Sequence, residues 1–289
     1  MKKVYKIVFV FSLALVVASI VLLSIFGLKF GVDFKGGSIL EVEFKETRPE
    51  IPELYKSLDQ FSELGINSAG DKGVVIKTKE LNEDEHQLLI TALREKYNIE
   101  EKRFESVGPV IGEELKRKSL VAIVLVLLSV VVYIAFVFRK LAKTLSPWAM
   151  GVAAIVALAH DVIIPLGVFA LLGHFYGIEI TAIFVAAVLT ILGYSVADTV
   201  VVFDRVRENV IKGTKEDFGH IVHKSILQTL ARSLNTTIST LLSLLAIYFF
   251  GGGSIKYFSL MLIIGIFLGA YSSIFVASPL LVYLQKRRK

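Results

Sequence analysis

The segment ITAIFVAAVLTILGYSVADTVVVFDRVREN, residues 180–209, places one carboxylate, Asp198, inside an apolar run long enough to cross a membrane. A charged side chain at the centre of a bilayer costs roughly 2.5 to 3.5 kcal/mol on insertion scales, so such residues usually face a protein interior or a water-filled path. Asp198 is therefore the first candidate for a functional site. The competing interpretation is a hydrogen-bonded structural carboxylate at the cytoplasmic end of an overlong helix.

The chain as a whole has the composition of a polytopic membrane protein. Of its 289 residues 54% are hydrophobic, and the mean hydropathy is +0.67. A membrane-spanning helix needs about 20 mostly apolar residues. Six segments qualify, at residues 7–27, 119–138, 148–172, 180–203, 236–250 and 258–284, and the short fifth segment must borrow from its flanks.

Lysine and arginine are concentrated on one side of these segments. They precede the first segment, follow the second and the fourth, and end the chain: Lys2, Lys3, Lys6, Arg139, Lys140, Lys143, Arg205, Arg207, Lys212, Lys215, Lys224 and residues 286–289. Because short basic loops stay cytoplasmic, both termini are expected in the cytoplasm. The net charge of +6 follows from this asymmetry and needs no nucleic-acid partner. The chain contains no cysteine, which excludes disulfides and thiol catalysis.

The predicted organisation is a first transmembrane helix at residues 1–28, kept as an uncleaved anchor, then an extracytoplasmic domain at 29–118. A five-helix transmembrane region follows at 119–289, with a cytoplasmic loop at 204–235. In the external domain, strands are predicted at 38–44, 73–78 and 103–108, and helices at 52–64 and after Asn82, where Glu85 completes a capping box. The inner face of the second helix is predicted to carry Leu88, Leu89, Ala92, Leu93 and Tyr97. Two strand-helix-strand units of this size favour an α+β, ferredoxin-like fold.

Five stretches carry a family resemblance: GVDFKGGSILEVEF (31–44), VGPVIGEEL (107–115), ALAHDV (157–162), GYSVADTVVVFDRVREN (193–209) and RSLNTTIST (232–240). They are similar to motifs of the SecF family of protein-export membrane subunits, part of the SecD/SecF family and related to the resistance-nodulation-division transporters. The resemblance runs the length of the chain, and its motifs fall in order at the expected helix ends.

The resemblance implies an accessory subunit of the Sec translocase in the bacterial inner membrane. Such a subunit pairs with SecD, joins the SecYEG channel that SecA drives from the other side, and uses the proton gradient to pull unfolded polypeptides outward. YajC and YidC are further implied partners. No cofactor, metal ion or enzymatic activity is implied.

Arg232 is the candidate partner of Asp198, because the family places a basic residue at this point of the RSLNTT motif. Desolvation favours the neutral form of a carboxyl group and a nearby guanidinium favours its charged form, so a movable arginine could switch proton binding. The competing interpretation of Arg232 is a membrane anchor whose side chain reaches the headgroups.

Helical geometry sorts the neighbours of Asp198. At about 100° per residue, Tyr194 and Arg205 share its face and Ser195 lies beside them, whereas Asp204 points elsewhere. These four residues are candidates for support of a proton relay. For Asp204 and Arg205 an ion-pair network at the membrane exit is the favoured alternative.

Asp161 is the second buried carboxylate, beside His160 and four residues before Pro165. A proline inside a helix frees a carbonyl in the preceding turn, which polar neighbours help to satisfy. Asp161 is a candidate for the relay, and His160, of the residue type that titrates near neutrality, is a candidate for its support. A structural hydrogen-bonded pair is the alternative.

GVDFKGG resembles a phosphate loop only superficially, because the lysine precedes the glycines and the G-x-x-x-x-G-K-[ST] spacing is missing. Gly36 and Gly37 are instead expected to allow a tight turn and a close backbone approach, with Asp33 capping or pairing locally. The family resemblance marks this stretch as the junction between the membrane and the external domain.

Three functions compete. The favoured one is a non-enzymatic, proton-coupled export subunit. The second is a proton-coupled small-molecule or lipid transporter of the same superfamily, which would need a substrate cleft in its outer domain. The third is an intramembrane aspartyl protease, in which Asp161 and Asp198 would share a proton as a catalytic dyad.

Overall fold

The computed structural model describes residues 3–61, 63–139, 147–213, 216–251 and 253–286. Part of the basic charge pattern lies outside the described residues: Lys2, Lys140, Lys143, Lys215 and residues 287–289. The chain forms two compact units, one of Phe30–Leu120 and one of Met1–Lys29 with Val121–Lys289.

In chain order the elements are α1 (Lys3–Phe26), α2 (Val32–Lys35), β1 (Gly37–Phe44), α3 (Ile51–Ser57), β2 (Gly65–Ala69), β3 (Gly73–Thr78), α4 (Glu83–Arg94), β4 (Ile99–Val107), α5 (Pro109–Val137), α6 (Pro147–Tyr176), α7 (Ala182–Ile211), α8 (Phe218–Phe250), α9 (Gly253–Ser272), a π-turn (Ser273–Ala277) and α10 (Ser278–Lys286). Among the described residues, six helical spans are long and apolar enough to cross a membrane, the sixth running through α9, the π-turn and α10. The predicted class, a six-helix membrane protein with one α+β domain, is confirmed.

Helices α5, α7 and α8 extend furthest beyond their predicted apolar segments. The predicted loop at 204–235 is wrong, because α7 continues to Ile211 and α8 begins at Phe218. The early part of α8 is too polar for a hydropathy signal, yet its buried residues Ile221, Val222 and Ser225 recur at helical spacing. The fifth helix does borrow from its flank, as expected, but on one side only. Helix α5 also extends beyond its predicted segment, because it begins at Pro109 and the apolar run begins at residue 119.

The transmembrane unit is built around α6, which packs against α1, α7 and α9, while α7 and α9 each also pack against α8. Small residues allow these close contacts: a β-carbon at Gly167 of α6 would lie 2.5 Å from the β-carbon of Ser19 in α1. A second such contact joins Gly265 of α9 to Ile191 of α7, whose side chain a β-carbon at position 265 would overlap. These contacts hold α1 close to α6 and α7 close to α9.

The α+β domain is a four-stranded antiparallel sheet in the order β2-β3-β1-β4, with α3 between β1 and β2 and α4 between β3 and β4. This βαββαβ order is the ferredoxin-like topology that the sequence predicts. The alternation in β1 is as expected, with Leu40, Val42 and Phe44 buried and Glu43 exposed. The capping box is also present, since Glu85 N donates to Asn82 Oδ1 over 2.9 Å and Asn82 N donates to Glu85 Oε2 over 3.0 Å.

Details of this domain differ from the sequence predictions. The edge strand β2 was not predicted, because Gly65, Asn67 and Ser68 favour turns over strands. Helix α3 ends at Ser57 instead of residue 64, and the chain then turns so that β2 can start at Gly65. Leu88 is 62% exposed, and the buried face of α4 is formed by His86, Leu89, Ile90 and Leu93.

Candidate functional site

Asp198 lies close to the middle of α7, because this helix runs for 30 residues from Ala182 to Ile211. The apolar segment alone would put it near one end. The side chain is half-buried. Asp198 is therefore not at an end of the helix itself.

The two oxygens of the Asp198 carboxylate differ in their hydrogen bonding. Its Oδ1 accepts a short hydrogen bond from the hydroxyl of Ser233 in α8. Its Oδ2 is buried and, among the described residues, has no hydrogen-bond partner. A buried acceptor without a partner costs about 1 to 3 kcal/mol, and more if it is charged. One oxygen of Asp198 is therefore available for a proton or for a donor that moves.

Asp198 and Arg232 line the same cleft, which has a volume of about 500 Å³. Its other walls come from α7, α8 and α9: Thr190, Gly193, Tyr194, Ala197, Val201, Ser233, Thr236, Thr237, Ile266 and Ala270. Tyr194 approaches α8, with its hydroxyl 3.5 Å from Thr240 Oγ1. Arg232 is exposed, and among the described residues it forms no ion pair with Asp198. The expected contact is made by the next residue, Ser233.

Asp161, in α6, is completely buried and is the most connected carboxylate of the transmembrane unit. Its Oδ2 accepts hydrogen bonds from Ser195 Oγ over 2.6 Å and from Ser272 Oγ over 2.7 Å. Its Oδ1 lies 2.8 Å from Nδ1 of His160. Donors from α7 and from the end of α9 therefore meet at one side chain of α6.

His160 adds a titratable nitrogen to this cluster. The residue is 3% exposed, and its ring lies parallel to that of Tyr271, with centroids 6.0 Å apart. Nε2 is buried and lacks a hydrogen-bond partner among the described residues. The pair can hold a proton between Asp161 and the imidazole, and Nε2 offers a second position for one.

The two carboxylates belong to one polar cluster. Ser195 precedes Asp198 by one turn of α7, and Thr199, next to Asp198, lies 3.0 Å from Ser273, the neighbour of Ser272. In the part of the chain that the structure describes, however, the carboxylates are not hydrogen-bonded to each other and each has its own donors. The contact between carboxylates that an aspartyl protease dyad needs is therefore not seen among the described residues.

The charged run after Asp198 does not join this cluster. Arg205 pairs with Glu208 over 2.7 Å, and Asp204 pairs with Arg207 over 3.1 Å. Neither Asp204 nor Arg205 lines the cleft. Asp204 and Arg205 therefore form the local ion-pair network that was the favoured alternative. Support of the proton relay by these two residues is not seen among the described residues.

The glycines after α2 adopt the predicted turn. Gly36 and Gly37 have φ of 81° and 129°, values that residues with a side chain rarely adopt. A β-carbon at Gly36 would lie 2.6 Å from Cα of Pro109, the first residue of α5. Asp33 lies in the first turn of α2, whose N-cap is Gly31. The turn therefore brings the backbone before β1 against the start of α5.

Sequence reasoning missed Ser233, Ser272 and Ser273 as functional candidates. Ser272 and Ser273 are small residues of the kind that usually serves close helix packing. Ser233 was missed because its neighbour Arg232 is the charged residue of the motif. One signal was available, because a serine in the middle of a membrane helix can donate to a buried carboxylate on a neighbouring helix. The sequence does not show which helix faces are neighbours, so the donors could not be assigned without the fold. Within the described residues, no cluster of three His, Asp or Glu side chains could hold a metal ion.

Comparison with known proteins identifies two matching family models. The one described as "Protein export membrane protein SecD/SecF, C-terminal" matches residues 89–287. The one described as "SecD/SecF GG Motif" matches residues 21–47, which include Gly36 and Gly37. The two matches together cover both the junction and the cluster around Asp198.

Curated relatives match over nearly the full chain. "Protein translocase subunit SecF" of Thermobaculum terrenum is 43% identical over 289 residues, which cover 95% of this chain and 90% of that protein. The protein of the same name from Anaerolinea thermophila is 37% identical, with 95% and 90% covered. In Brucella abortus the similar protein is "Protein translocase subunit SecDF", of which this chain covers 33% at 35% identity.

Solved structures of SecDF have the same fold. SecDF from Thermus thermophilus, described as a translocon-associated membrane protein, is 33% identical and superposes with a TM-score of 0.84 over 98% of this chain. SecDF in its super-membrane-facing form superposes with a TM-score of 0.69. This chain spans 38% of the length of either SecDF chain.

Proposed function

Since this chain belongs to the SecD/SecF family of protein export membrane proteins, we propose that it is the SecF-type accessory subunit of the Sec translocase. Together with SecD it uses the proton motive force to promote export of unfolded polypeptides. The relatives above are named as translocase subunits, which supports export over the small-molecule or lipid alternative. The main observation in favour of proton coupling is the carboxylate of Asp198 in the middle of α7, of which one oxygen is buried without a hydrogen-bond partner among the described residues.

Asp198 is the group that binds and releases the proton. When it is charged, its uncompensated oxygen favours any donor or cation that can reach the cleft. When it is neutral, that attraction is lost. A charge that crosses the membrane releases about 2.3 kcal/mol for each 100 mV, which is of the same size as a hydrogen bond to a charged group. One proton is therefore enough to exchange one helix contact for another.

Arg232 supplies the movable cation. It shares the cleft with Asp198 but forms no ion pair with it among the described residues, and its long side chain gives it the reach to approach. Approach of the guanidinium favours release of the proton, and withdrawal favours its uptake. The hydrogen bond from Ser233 to Asp198 is available in the withdrawn arrangement.

Asp161 and His160 are the second proton-holding group of this proposal. The pair lies one helical turn away from Asp198 through Ser195, and no other titratable side chain is so deeply buried among the described residues of α6 to α10. A proton on His160 compensates the charge of Asp161, so the pair sets the electrostatic field in which Asp198 works.

The same proposal gives the location and the partners. The subunit lies in the bacterial inner membrane with both termini in the cytoplasm, because the basic loops stay on that side. Its external domain then lies on the far side, where exported chains emerge. It pairs with SecD, as the SecDF proteins do within one chain, and acts beside SecYEG and SecA, with YajC and YidC as additional partners.

The test is export into membrane vesicles that contain SecD, the channel and SecA, in sodium-free buffer so that protons are the only coupling ion. Asp198→Asn is expected to reduce gradient-dependent stimulation to the level seen with the gradient collapsed, because the amide cannot take up a proton. Copurification with SecD should be unchanged. Undiminished stimulation would refute the proposal.

Matched controls come from the same helix. Asp204→Asn removes a carboxylate that is paired with Arg207 outside the cleft, and it is expected to leave stimulation intact. Arg232→Gln should behave like Asp198→Asn, whereas Arg207→Gln should not. Equal losses in all four variants would point to charge in general, and not to the cleft.

A further inference from the structure

The sixth transmembrane span is not a continuous α-helix. Between α9 and α10 the residues Ser273–Ala277 form a π-turn, and the carbonyl of Ser273 accepts a hydrogen bond from Ser278 Oγ over 2.7 Å. Single π-turns inside α-helices occur frequently at functional sites. This one begins directly after Ser272, the residue that donates to Asp161.

The hydroxyl group of Ser273 has one hydrogen to donate and several possible acceptors for it. Its side chain is fully buried, and its hydroxyl donates to the carbonyl of Gly269 over 2.9 Å. It also lies 3.0 Å from Thr199 Oγ1, the neighbour of Asp198. The hydroxyl is close enough to Asp198 to interact with its carboxyl group. Asp198 Oδ2, meanwhile, is buried without a partner in the described part of the chain.

A serine hydroxyl carries a single hydrogen and rotates to suit its surroundings. A charged carboxylate is a stronger acceptor than a backbone carbonyl, because hydrogen bonds to ionised groups are roughly twice as strong as neutral ones. A protonated carboxyl group loses that advantage. The preferred acceptor of Ser273 therefore depends on whether Asp198 carries its charge.

We propose that Ser273 is a positioning residue of the proton site, whose hydroxyl donates to Asp198 when the carboxylate is charged and to the Gly269 carbonyl when it is neutral. The inference rests on the proposed function of Asp198. It deepens that function by naming the residue through which the charge of Asp198 reaches the π-turn. The other titratable or charged groups around the cluster are Asp161, His160, Arg232, Tyr194 and Tyr271.

The proposed switch acts at the start of the π-turn. The bond from Ser273 to Gly269 joins the first residue of the π-turn to the last turn of α9. When the Ser273 hydroxyl turns to Asp198, the Gly269 carbonyl keeps the hydrogen bond that it accepts from Ser272 Oγ over 3.1 Å, so the exchange leaves no buried carbonyl without a donor. A change of charge at Asp198 thereby changes the hydrogen bonding of the π-turn, which packs against α6 and α7.

The experiment uses the vesicles described above and measures gradient-dependent stimulation over a range of pH. Ser273→Ala removes the donor, and Ser273→Cys keeps a side chain of similar size but only a weak donor. Because a hydroxyl that donates to a carboxylate stabilises its charged form, the pH of half-maximal stimulation is expected to move up by about one unit in both variants. A structural defect alone would lower stimulation without moving that pH.

The matched control is Ser259→Ala, another completely buried serine of α9, whose hydroxyl has no partner among the described residues. It is expected to leave the pH profile where it is. An unmoved profile in both Ser273 variants, or an equal shift in Ser259→Ala, would overturn the inference, as would loss of complex assembly in both. Asp198→Asn distinguishes failure of this inference from failure of the proposed function. If Asp198→Asn abolishes stimulation while the pH profiles of the Ser273 variants stay unmoved, only the inference about Ser273 fails. If Asp198→Asn leaves stimulation intact, the proposed function fails as well.

Discussion

At the scale of single residues, two carboxylates inside the transmembrane unit and the serines that donate to them form the candidate site. Asp198 and Asp161 stand out because a carboxylate in an apolar run is costly wherever the helix is placed. Their serine donors do not stand out, because serine is common in membrane helices and mostly bonds to its own backbone. Arg232 was predicted as the partner of Asp198. It lines the same cleft, but among the described residues the hydrogen bond to Asp198 comes from Ser233, and the path of a long side chain such as that of arginine depends on its neighbours.

The hydrogen bonds of Asp161 allow a direct test of its charge. Asp161→Asn should destabilise the full chain by about 1 to 3 kcal/mol, because an amide nitrogen cannot accept a bond from Ser195, Ser272 or His160. The measurement is thermal unfolding in detergent. Ser195→Ala removes one donor only and should cost less. An Asn variant as stable as the wild type would show that Asp161 is neutral and donates a proton of its own.

At the scale of elements, the contact between α7 and α9 decides the geometry of the cluster. Gly265 lets Ile191 approach, and one turn later a β-carbon at Gly269 would lie 3.2 Å from that of Ser195 and 3.7 Å from Asp161 Oδ2. The sequence indicated close packing at these glycines but not the partner helix. Small residues serve contacts within a chain and between chains equally well, so only the fold distinguishes them.

Gly265→Ala is expected to destabilise the chain by about 1 to 3 kcal/mol, because the new methyl group overlaps Ile191 and the interior cannot expand freely. Combining it with Ile191→Ala should recover part of this loss, with a coupling energy of about 0.5 to 3 kcal/mol. Thermal unfolding of the two single variants and the double variant measures it.

The control is Gly193→Ala in α7, where a β-carbon would meet nothing within 4 Å. Replacement of this glycine should be neutral or slightly stabilising, as alanine is the better helix former. Strict additivity of Gly265→Ala and Ile191→Ala would show that the two residues do not determine the spacing of α7 and α9.

At the scale of the whole molecule, α8 exposes a polar stripe that one chain alone does not cover. Thr236 and Ser239 donate to carbonyls four residues earlier in their own helix and so tolerate lipid. Arg232 and Asn235 are exposed at similar depth, where contact with lipid is costly. The proposed SecD partner is expected to cover this stripe.

The absence of cysteine makes coverage of the stripe measurable. Asn235→Cys should react readily with maleimide when the chain is alone in detergent, and several-fold more slowly when SecD is bound. Leu128→Cys, at an exposed mid-helix position of α5, should react at the same rate in both samples. Equal rates for Asn235→Cys with and without SecD would place the partner on another face.

The sequence by itself determined the six membrane spans, the ferredoxin-like external domain and the two buried carboxylates. Each of these follows from patterns within one segment: hydropathy over about 20 residues, alternation along a strand, or a charge in an apolar run. Tertiary structure decided which donors meet those carboxylates. Ser233 is 35 residues from Asp198 and Ser272 is 111 residues from Asp161, and no local pattern encodes a contact between helices so distant in sequence.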